Sequence, residues 1–254
     1  MKSIALITGA TSGIGRATAK LLANNNFNVI ITGRRSENLN TLEEAIQKNT
    51  ESDVYSLNFD IRSETETAKM LATLPDEWKN ISVLINNAGL AAGFEPVSEG
   101  KSDDWNQMID TNIKGLLYIT RIVSGWMIER KSGHIINVSS IAGKEAYANG
   151  AVYCATKHAV EALTKSMRLD FLKHRIKVGS VSPGMVDTEF SYVRFHGDSS
   201  KAEQVYKNMT PLYAEDIAEA ILFMVTRPEH VNIDDMFIMP TAQGLSREVL
   251  RNEE

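Results

Sequence analysis

A tyrosine and a lysine at helical spacing are the residues of this sequence best suited to proton transfer. Tyr153 and Lys157 stand at i and i+4, so on a helix their side chains share one face. A phenol titrates near ~10, and a neighbouring ammonium lowers its pKa toward the range where general acid–base transfer is efficient. Ser140, shortly upstream, would hydrogen-bond the substrate oxygen. Alone, this spacing also fits an ordinary exposed helix.

A glycine-rich turn follows the first apolar run of the chain. Glycines let a backbone approach a pyrophosphate, and the helix that begins near Ile14 would offer unpaired amides to it. A strand, a glycine turn and a helix in this order are the context that a dinucleotide fingerprint requires. A tight turn without a ligand is the alternative. The predicted cofactor turn consists of Gly9, Ala10, Thr11, Ser12, Gly13, Ile14 and Gly15.

Two arginines, Arg34 and Arg35, stand about 20 residues beyond this turn, at the end of the predicted second strand. Enzymes that use NAD place an acidic residue there, on the adenosine ribose. Guanidinium groups would instead hold a 2′-phosphate, which a carboxylate would repel. The pattern therefore predicts NADP(H); a solvated loop is the alternative.

Short apolar runs along the chain predict the strands that position these groups. Such runs suit strands buried on both faces of a parallel sheet. Helical spacing lies between them, as in Val160, Leu163 and Met167. We therefore predict an α/β fold, a single domain over residues 1–254 with a Rossmann-type doubly wound parallel sheet of about seven strands and helices on both faces. The runs are Ile4 to Ile7, Val29 to Ile31, Val83 to Ile85, Ile135 to Val138 and a weaker Val178 to Val181.

Composition excludes several classes of function. A chain of 254 residues with 43% hydrophobic residues can bury a substantial core, and its net charge of −5 argues against nucleic-acid and membrane partners. No run is long enough for a membrane span, and Cys154 has no second cysteine for a disulfide. Metal-ligand spacing is absent. We expect a cytoplasmic protein without a metal that acts on a small molecule.

Five motifs in one order resemble the short-chain dehydrogenase/reductase family: the glycine turn, Asn86-Asn87-Ala88-Gly89, Asn112, Ser140, and Tyr153 with Lys157. The resemblance implies a catalytic tetrad in which Tyr153 exchanges the alcohol proton and Lys157 lowers the pKa of Tyr153 and holds the ribose. Asn112 would support a proton-relay water. Spacing to the tyrosine selects Ser140 over Ser139 for the substrate oxygen. Adjacent strand residues point to opposite faces, so only one of the two serines is expected to face the site.

The same resemblance implies further cofactor contacts. Asp60 and Ile61 would meet the adenine, and the segment after the sixth strand would meet the nicotinamide carboxamide. It also implies a homotetramer, with the helices around Ser102 to Arg130 and Ala151 to His174 at its interfaces. The predicted cofactor contacts beyond the turn and the arginines are Asp60, Ile61, Asn87, Ala88, Gly89, Tyr153, Lys157, Pro183, Gly184, Val186 and Thr188.

The segment from Thr188 to Asp198 looks like that of NADP-dependent 3-hydroxy acid dehydrogenases, which act on serine, L-allo-threonine and 3-hydroxypropionate-type acids. It lies in a stretch without strand signal, about 184–212, which we expect to be a substrate lid. Arg194 is a candidate for the substrate carboxylate, together with Ser140 and Tyr153 for the substrate oxygen. An arginine in such a loop can equally be a surface or subunit-contact residue.

Two other functions fit the same motifs. One is a broad-range carbonyl reductase or 3-oxoacyl-carrier-protein reductase, for which the segment from Phe190 to Leu212 would have to admit a bulky chain. The other is a non-catalytic NADP-binding protein, which would have no need of the Tyr153 and Lys157 pair.

Overall fold

The strands of this protein send alternate side chains into two separate helical layers. In the first strand, Ser3–Ile7, Ala5 and Ile7 pack in one hydrophobic cluster, whereas Ile4 and Leu6 pack in the other. A computed structural model describes residues 2–252. The predicted domain also included Met1, Glu253 and Glu254, which lie outside the described residues.

Within the described residues, seven parallel strands form one sheet in the order β3-β2-β1-β4-β5-β6-β7. The predicted fold class is confirmed. The chain builds outward from β1 to β3 and then restarts at β4 on the other side, so the carboxyl ends of β1 and β4 flank a topological switch point, where such sheets bind ligands. The strands are β1 (Ser3–Ile7), β2 (Phe27–Gly33), β3 (Val54–Asn58), β4 (Ile81–Asn86), β5 (Gly133–Val138), β6 (Ile176–Pro183) and β7 (Asp235–Ile238).

Helices cover both faces of the sheet. Leu22 of α1, Leu39 of α2 and Ile221 of α9 pack on one face, and α3, α5 and α6 supply Leu71, Val123 and Val160 to the other. The helices are α1 (Gly13–Asn24), α2 (Ser36–Asn49), α3 (Glu64–Ala72), α4 (Ser102–Ile109), α5 (Leu116–Arg130), α6 (Ala151–Phe171), α7 (Glu189–Arg194), α8 (Ser199–Tyr206) and α9 (Ala214–Val225).

A π-helical segment, Asp110–Gly115, divides the stretch that the sequence predicted as one helix from Ser102 to Arg130. Asn112 in this segment hydrogen-bonds both backbone groups of Leu90, at 2.8 and 2.9 Å. Gly115 comes so close to the next layer that a Cβ there would lie 2.9 Å from Ile61 Cγ2. Single π turns often occur at functional sites, and here the turn places Asn112 beside the site.

A buried amide chain fixes α6, the helix that carries Tyr153 and Lys157, to the centre of the sheet. Asn86 Nδ2 donates to Asn137 Oδ1 at 2.9 Å, and Asn137 Nδ2 donates to Thr164 Oγ1 of α6 at 2.8 Å. Because buried polar groups are costly when unpaired, this chain favours one placement of α6 over others.

The segment at about 184–212, which the sequence predicted to be a lid, contains two short helices, α7 and α8. It is attached to the rest of the protein by backbone bonds such as Gly93 N to Arg194 O at 3.0 Å and Gly184 N to Ile238 O at 2.7 Å. No helix between residues 2 and 252 is long and apolar enough to cross a membrane.

Candidate active site

A cavity of about 700 Å³ opens at the carboxyl ends of the strands. It runs from the glycine turn after β1 to α7, the first helix of the predicted lid. Three predicted site residues, Ala10, Gly15 and Asn112, lie outside its wall. The predicted residues that line it are Gly9, Thr11, Ser12, Gly13, Ile14, Arg34, Arg35, Asp60, Ile61, Asn87, Ala88, Gly89, Ser140, Tyr153, Lys157, Pro183, Gly184, Val186, Thr188 and Arg194.

The glycine turn has a backbone that requires glycine. Gly9 and Gly13 have φ of 66° and 50°, in the left-handed region. A side chain at Gly15 would collide with Asn87 Nδ2 and lie 2.5 Å from the Gly9 oxygen. The same Asn87 Nδ2 donates to Thr8 O at 2.8 Å, so the turn is held against the end of β4. Gly15 and Ala10 therefore shape the turn from behind the cavity wall.

The start of α1 is suited to binding a phosphate. Its N-cap, Ser12, has an extended backbone and makes no side-chain cap, and the first turn carries no acidic residue. The first amides of a helix have no partner within the helix, and the helix dipole favours an anion there. The donor set at this end of the cavity thus fits a dinucleotide pyrophosphate.

The two predicted 2′-phosphate arginines have different surroundings. Arg35 donates to Ser12 Oγ at 2.8 Å and pairs with Glu189 of α7 at 2.8 Å. Arg34 is 56% exposed and lies 3.8 Å from Asp60 Oδ2. Burial raises the pKa of Asp60, but the hydrogen bonds and charge of Arg62 outweigh it and hold that pKa below its usual range. Of the two guanidinium groups, that of Arg34 therefore makes the weaker contacts within the protein.

Tyr153 and Lys157 lie together at the bottom of the cavity. The Lys157 ammonium is 5.9 Å from the centre of the Tyr153 ring and donates to Val138 O at 2.9 Å. Burial raises the pKa of Tyr153, Tyr147 adds to the rise, and Ser140 and Arg194 oppose it. The expected lowering of this pKa is not found, because burial of the phenol outweighs the groups that lower its pKa.

Both candidate serines line the cavity, contrary to the expectation that only one would face it. β5 ends at Val138, so the alternation of a strand no longer applies to Ser139 and Ser140. Ser140 Oγ accepts a hydrogen bond from Ala142 N at 3.1 Å, which leaves its own proton for another acceptor. Ser139 Oγ is buried and has no partner among the described residues.

The Asn112 side chain is buried behind the cavity and largely occupied. Its Nδ2 donates to Leu90 O and to Thr156 Oγ1, at 2.8 and 3.0 Å, and its Oδ1 accepts from Leu90 N at 2.9 Å. One acceptor position on Oδ1 remains. A Cβ at Gly89 would lie 3.3 Å from that oxygen and 3.4 Å from Lys157 Nζ, so the Gly89 backbone passes close to both groups.

Arg194, the last residue of α7, lies in a cage of three aromatic rings. Its guanidinium carbon is 4.6, 5.6 and 5.5 Å from the ring centres of Phe94, Tyr147 and Tyr153. Nη1 donates to the Tyr147 hydroxyl at 3.2 Å. Nε and Nη2 are buried without a hydrogen-bond partner in the described part of the chain. A buried guanidinium without an acceptor is costly, and a carboxylate is its natural partner.

Sequence reasoning missed several residues of the wall. Phe94 and Tyr147 complete the cage, Phe190 packs 5.5 Å from the Tyr153 ring centre, and Arg247 stacks 5.1 Å from Phe94. Glu189, the partner of Arg35, was missed as well. Phe94, Tyr147 and Arg247 stand in no motif, and Glu189 and Phe190 lie in the Thr188 to Asp198 segment without a role of their own in it; only the folded chain brings these residues together.

Comparisons with known proteins agree with this geometry. The Escherichia coli K12 NADP-dependent 3-hydroxy acid dehydrogenase is 45% identical over 242 residues, 95% of this chain and 96% of that protein. The Schizosaccharomyces pombe enzyme of the same description is 43% identical, over 98% of this chain and 96% of that protein. Among solved structures, the closed form of a serine dehydrogenase complexed with NADP+ has a TM-score of 0.92 and 43% identity, covering 98% of this chain and 100% of its own.

The family assignment follows from matches over most of the sequence. The model for the short chain dehydrogenase family matches residues 3–198. The resemblance predicted from the five motifs is therefore confirmed. With that match and with relatives at 45% identity over nearly its whole length, the chain belongs to the short chain dehydrogenase family.

Proposed function

We propose that this protein is an NADP-dependent oxidoreductase that transfers hydride between NADP(H) and a short 3-hydroxy acid or its 3-oxo form. Acids of the serine, L-allo-threonine and 3-hydroxypropionate type are the proposed substrates. The observation that carries the proposal is the caged guanidinium of Arg194, with two unpaired nitrogens beside the Tyr153 ring. The relatives described as NADP-dependent 3-hydroxy acid dehydrogenases support it.

NADP fits the residues of the cavity. The glycine turn and the amides at the start of α1 would hold the pyrophosphate, Arg34 the 2′-phosphate, and Lys157 the ribose hydroxyls. Asp60 and Ile61 would border the adenine, and the segment from Pro183 to Thr188 the carboxamide. When bound, the cofactor supplies or accepts the hydride at its nicotinamide ring.

The chain's own groups handle the proton and the substrate. In oxidation, Tyr153 accepts the proton of the alcohol, and in reduction it returns a proton to the new alkoxide. Ser140 donates its free proton to the same substrate oxygen. A water that links Lys157 Nζ to the remaining acceptor position of Asn112 Oδ1 would let Tyr153 exchange its proton with solvent through Lys157.

Arg194 would position the substrate through its carboxylate. In a 3-hydroxy acid the carboxylate carbon is two bonds from the carbinol carbon, and the guanidinium lies 5.5 Å from the Tyr153 ring centre. A carboxylate on Nε and Nη2 would thus place the hydroxyl near the tyrosine. As a lid, residues 184–212 would hold Arg194 at the site and exclude water.

A cytoplasmic homotetramer is the proposed state of the protein. Large apolar side chains are exposed on the helices expected at the interfaces, among them Leu169 and Leu172, at 75% and 70% exposure. Large exposed apolar residues favour contact with another protein surface.

The cofactor preference is a first testable prediction. NADPH should bind more tightly than NADH, because Arg34 offers a charge to the 2′-phosphate, and the difference should shrink as salt screens this exposed pair. Fluorescence titration of both cofactors at low and high salt measures it. Arg34→Asp should reverse the preference; Lys48→Asp, a change of equal charge at the far end of α2, is the control. Equal affinities of the native protein for both cofactors would contradict the assignment.

The substrate class is tested with a panel. We expect NADP-dependent oxidation of serine, L-allo-threonine and 3-hydroxypropionate, and weaker activity on uncharged secondary alcohols of the same size. Steady-state rates with each substrate, measured with NADP and with NAD, show which substrate class and which cofactor the protein uses. Activity confined to bulky uncharged ketones or carrier-linked chains would identify a carbonyl or 3-oxoacyl reductase. Cofactor binding without turnover on any substrate would indicate a non-catalytic protein.

A further inference from the structure

An ionic cluster that includes one buried carboxylate lies next to Lys157, and the proposed reaction does not use it. Lys144 Nζ pairs with Glu161 Oε2 at 2.6 Å and with Asp235 Oδ2 at 2.7 Å. Ser182 Oγ donates to Glu161 Oε1 at 3.0 Å and lies 3.1 Å from Asp235 Oδ1. Glu161 is only 7% exposed. Burial of a carboxylate is costly, so this placement calls for a physical reason.

Glu161 and Lys157 reach the sheet side by side. They stand one helical turn apart on α6, so their side chains share a face. Lys157 bonds to Val138 O at the end of β5, and Glu161 accepts from Ser182 near the end of β6. These strands are adjacent, with Val138 paired to Val181, the residue before Ser182.

Close packing separates this pair from solvent. Gly143 lies against both residues, since a Cβ there would be 2.9 Å from Lys157 O and 3.0 Å from Glu161 Cγ. A glycine at this position lets the loop after β5 approach α6 without a side chain. Glu161 and Lys157 are 7% and 5% exposed, so their charges interact through protein, where screening by water is weak.

Lys157 needs a negative charge nearby. It is 5% exposed, and the acceptor found for its ammonium is a neutral carbonyl. Burial lowers the pKa of Lys157 to about 8, and the charge of Glu161 opposes that decrease. An ammonium with this pKa would lose its proton within the working range of an enzyme.

Several other charged groups on the elements packed around α6 have a titratable or oppositely charged neighbour of their own. Asp104 of α4 lies 3.2 Å from His196, and Asp110 of the π segment pairs with Lys114 at 2.8 Å. Lys144 pairs with Asp235 of β7 as well as with Glu161. Arg194 of α7 adds a further positive charge over Tyr153.

We propose that Glu161 is a positioning residue that keeps the buried Lys157 protonated and oriented, and that Lys144 moderates its charge. The role of Lys157 itself rests on the proposed function. Glu161 touches neither the substrate nor the cofactor; it acts through Lys157.

The test is the pH dependence of Glu161→Gln. Without the negative charge of Glu161, Lys157 should lose its proton at a lower pH. The basic limb of the pH profile of kcat/KM should therefore move to lower pH by ~1 unit or more. NADPH affinity, measured by fluorescence without substrate, should fall over the same lower range, because a neutral Lys157 holds the ribose less well. Asp235→Asn is the matched control: it removes the other carboxylate on Lys144 and keeps the charge of Glu161, so both profiles should move far less than in Glu161→Gln.

The outcomes separate this role from a purely structural one. An unmoved basic limb in Glu161→Gln, or an equal displacement in Asp235→Asn, overturns the proposal. If Glu161→Gln does not fold, Lys144→Met replaces it: without the Lys144 cation, Glu161 acts more strongly on Lys157, and the limb should move to higher pH. No movement, or a movement to lower pH, overturns the proposal in that variant. The NADPH titration remains decisive even if the protein oxidises no 3-hydroxy acid.

Discussion

Tyr153→Phe is expected to lower turnover by ~10² or more while NADPH still binds, because general acid–base groups contribute about that much. The variant removes only the hydroxyl that exchanges the proton. The ring should keep its place, since it packs against Phe190 with ring centres 5.5 Å apart. Steady-state rates in both directions and a fluorescence titration of NADPH measure the two expectations separately.

Tyr147→Phe is the matched control for this substitution. Tyr147 also lines the cavity, and its hydroxyl accepts a hydrogen bond from Arg194 at 3.2 Å. Its loss should disturb the placement of the arginine and raise KM for acids, while turnover at saturation is largely kept. Near-normal turnover of Tyr153→Phe would remove Tyr153 from the reaction. A greater loss in Tyr147→Phe would assign the proton transfer to Tyr147.

The strands with near-continuous apolar runs were predictable because they are buried on both faces. β6 gave a weaker signal for a physical reason. Ser180 and Ser182 point toward Glu161 and Asp235, so polar residues occupy positions that an apolar run would fill. A side chain at Gly179 would collide with the Ile233 carbonyl, so this position also lacks an apolar side chain.

Local motifs predicted the residues that one segment of chain brings together. The glycine turn, and Tyr153 with Lys157, need only a strand, a turn and a helix, which the sequence contains. The π segment at Asp110–Gly115 was not predictable in this way, because it depends on the contact of Asn112 with Leu90. The pKa of Tyr153 was misjudged because spacing on a helix gives no information about burial.

The aromatic cage around Arg194 also depends on contacts between distant parts of the chain, which local motifs do not predict. Arg194 was a candidate for the substrate carboxylate, with a surface or subunit contact equally open. The choice depends on Phe94 and Tyr147, which are far away along the chain and come from different loops. Their rings enclose the guanidinium, and in the described structure no carboxylate pairs with it. A surface arginine would not be enclosed in this way, so the geometry favours a role in the site.

Arg194→Met is accordingly expected to reduce kcat/KM for 3-hydroxy acids by roughly 10- to 100-fold, the loss of a charge-assisted pair of ~1.5 to 3 kcal/mol. Methionine is unbranched and packs well against rings, so it can occupy the cage of Phe94, Tyr147 and Tyr153 without the charge. The reduction should appear chiefly in KM. An uncharged secondary alcohol of similar size makes no pair with the guanidinium, and its kcat/KM should change little.

Arg247→Met separates a specific pair from the general effect of positive charge. Arg247 stacks on the same Phe94 ring, 5.1 Å from its centre, but is exposed. Because solvent screens its charge, its loss should change kcat/KM for acids far less than the loss of Arg194. Equal losses on the acid and the alcohol in Arg194→Met would make this arginine a structural residue of the lid. If Arg194→Met and Arg247→Met reduced kcat/KM for acids equally, the acids would be attracted by the overall positive charge of the site and not by a specific contact with Arg194.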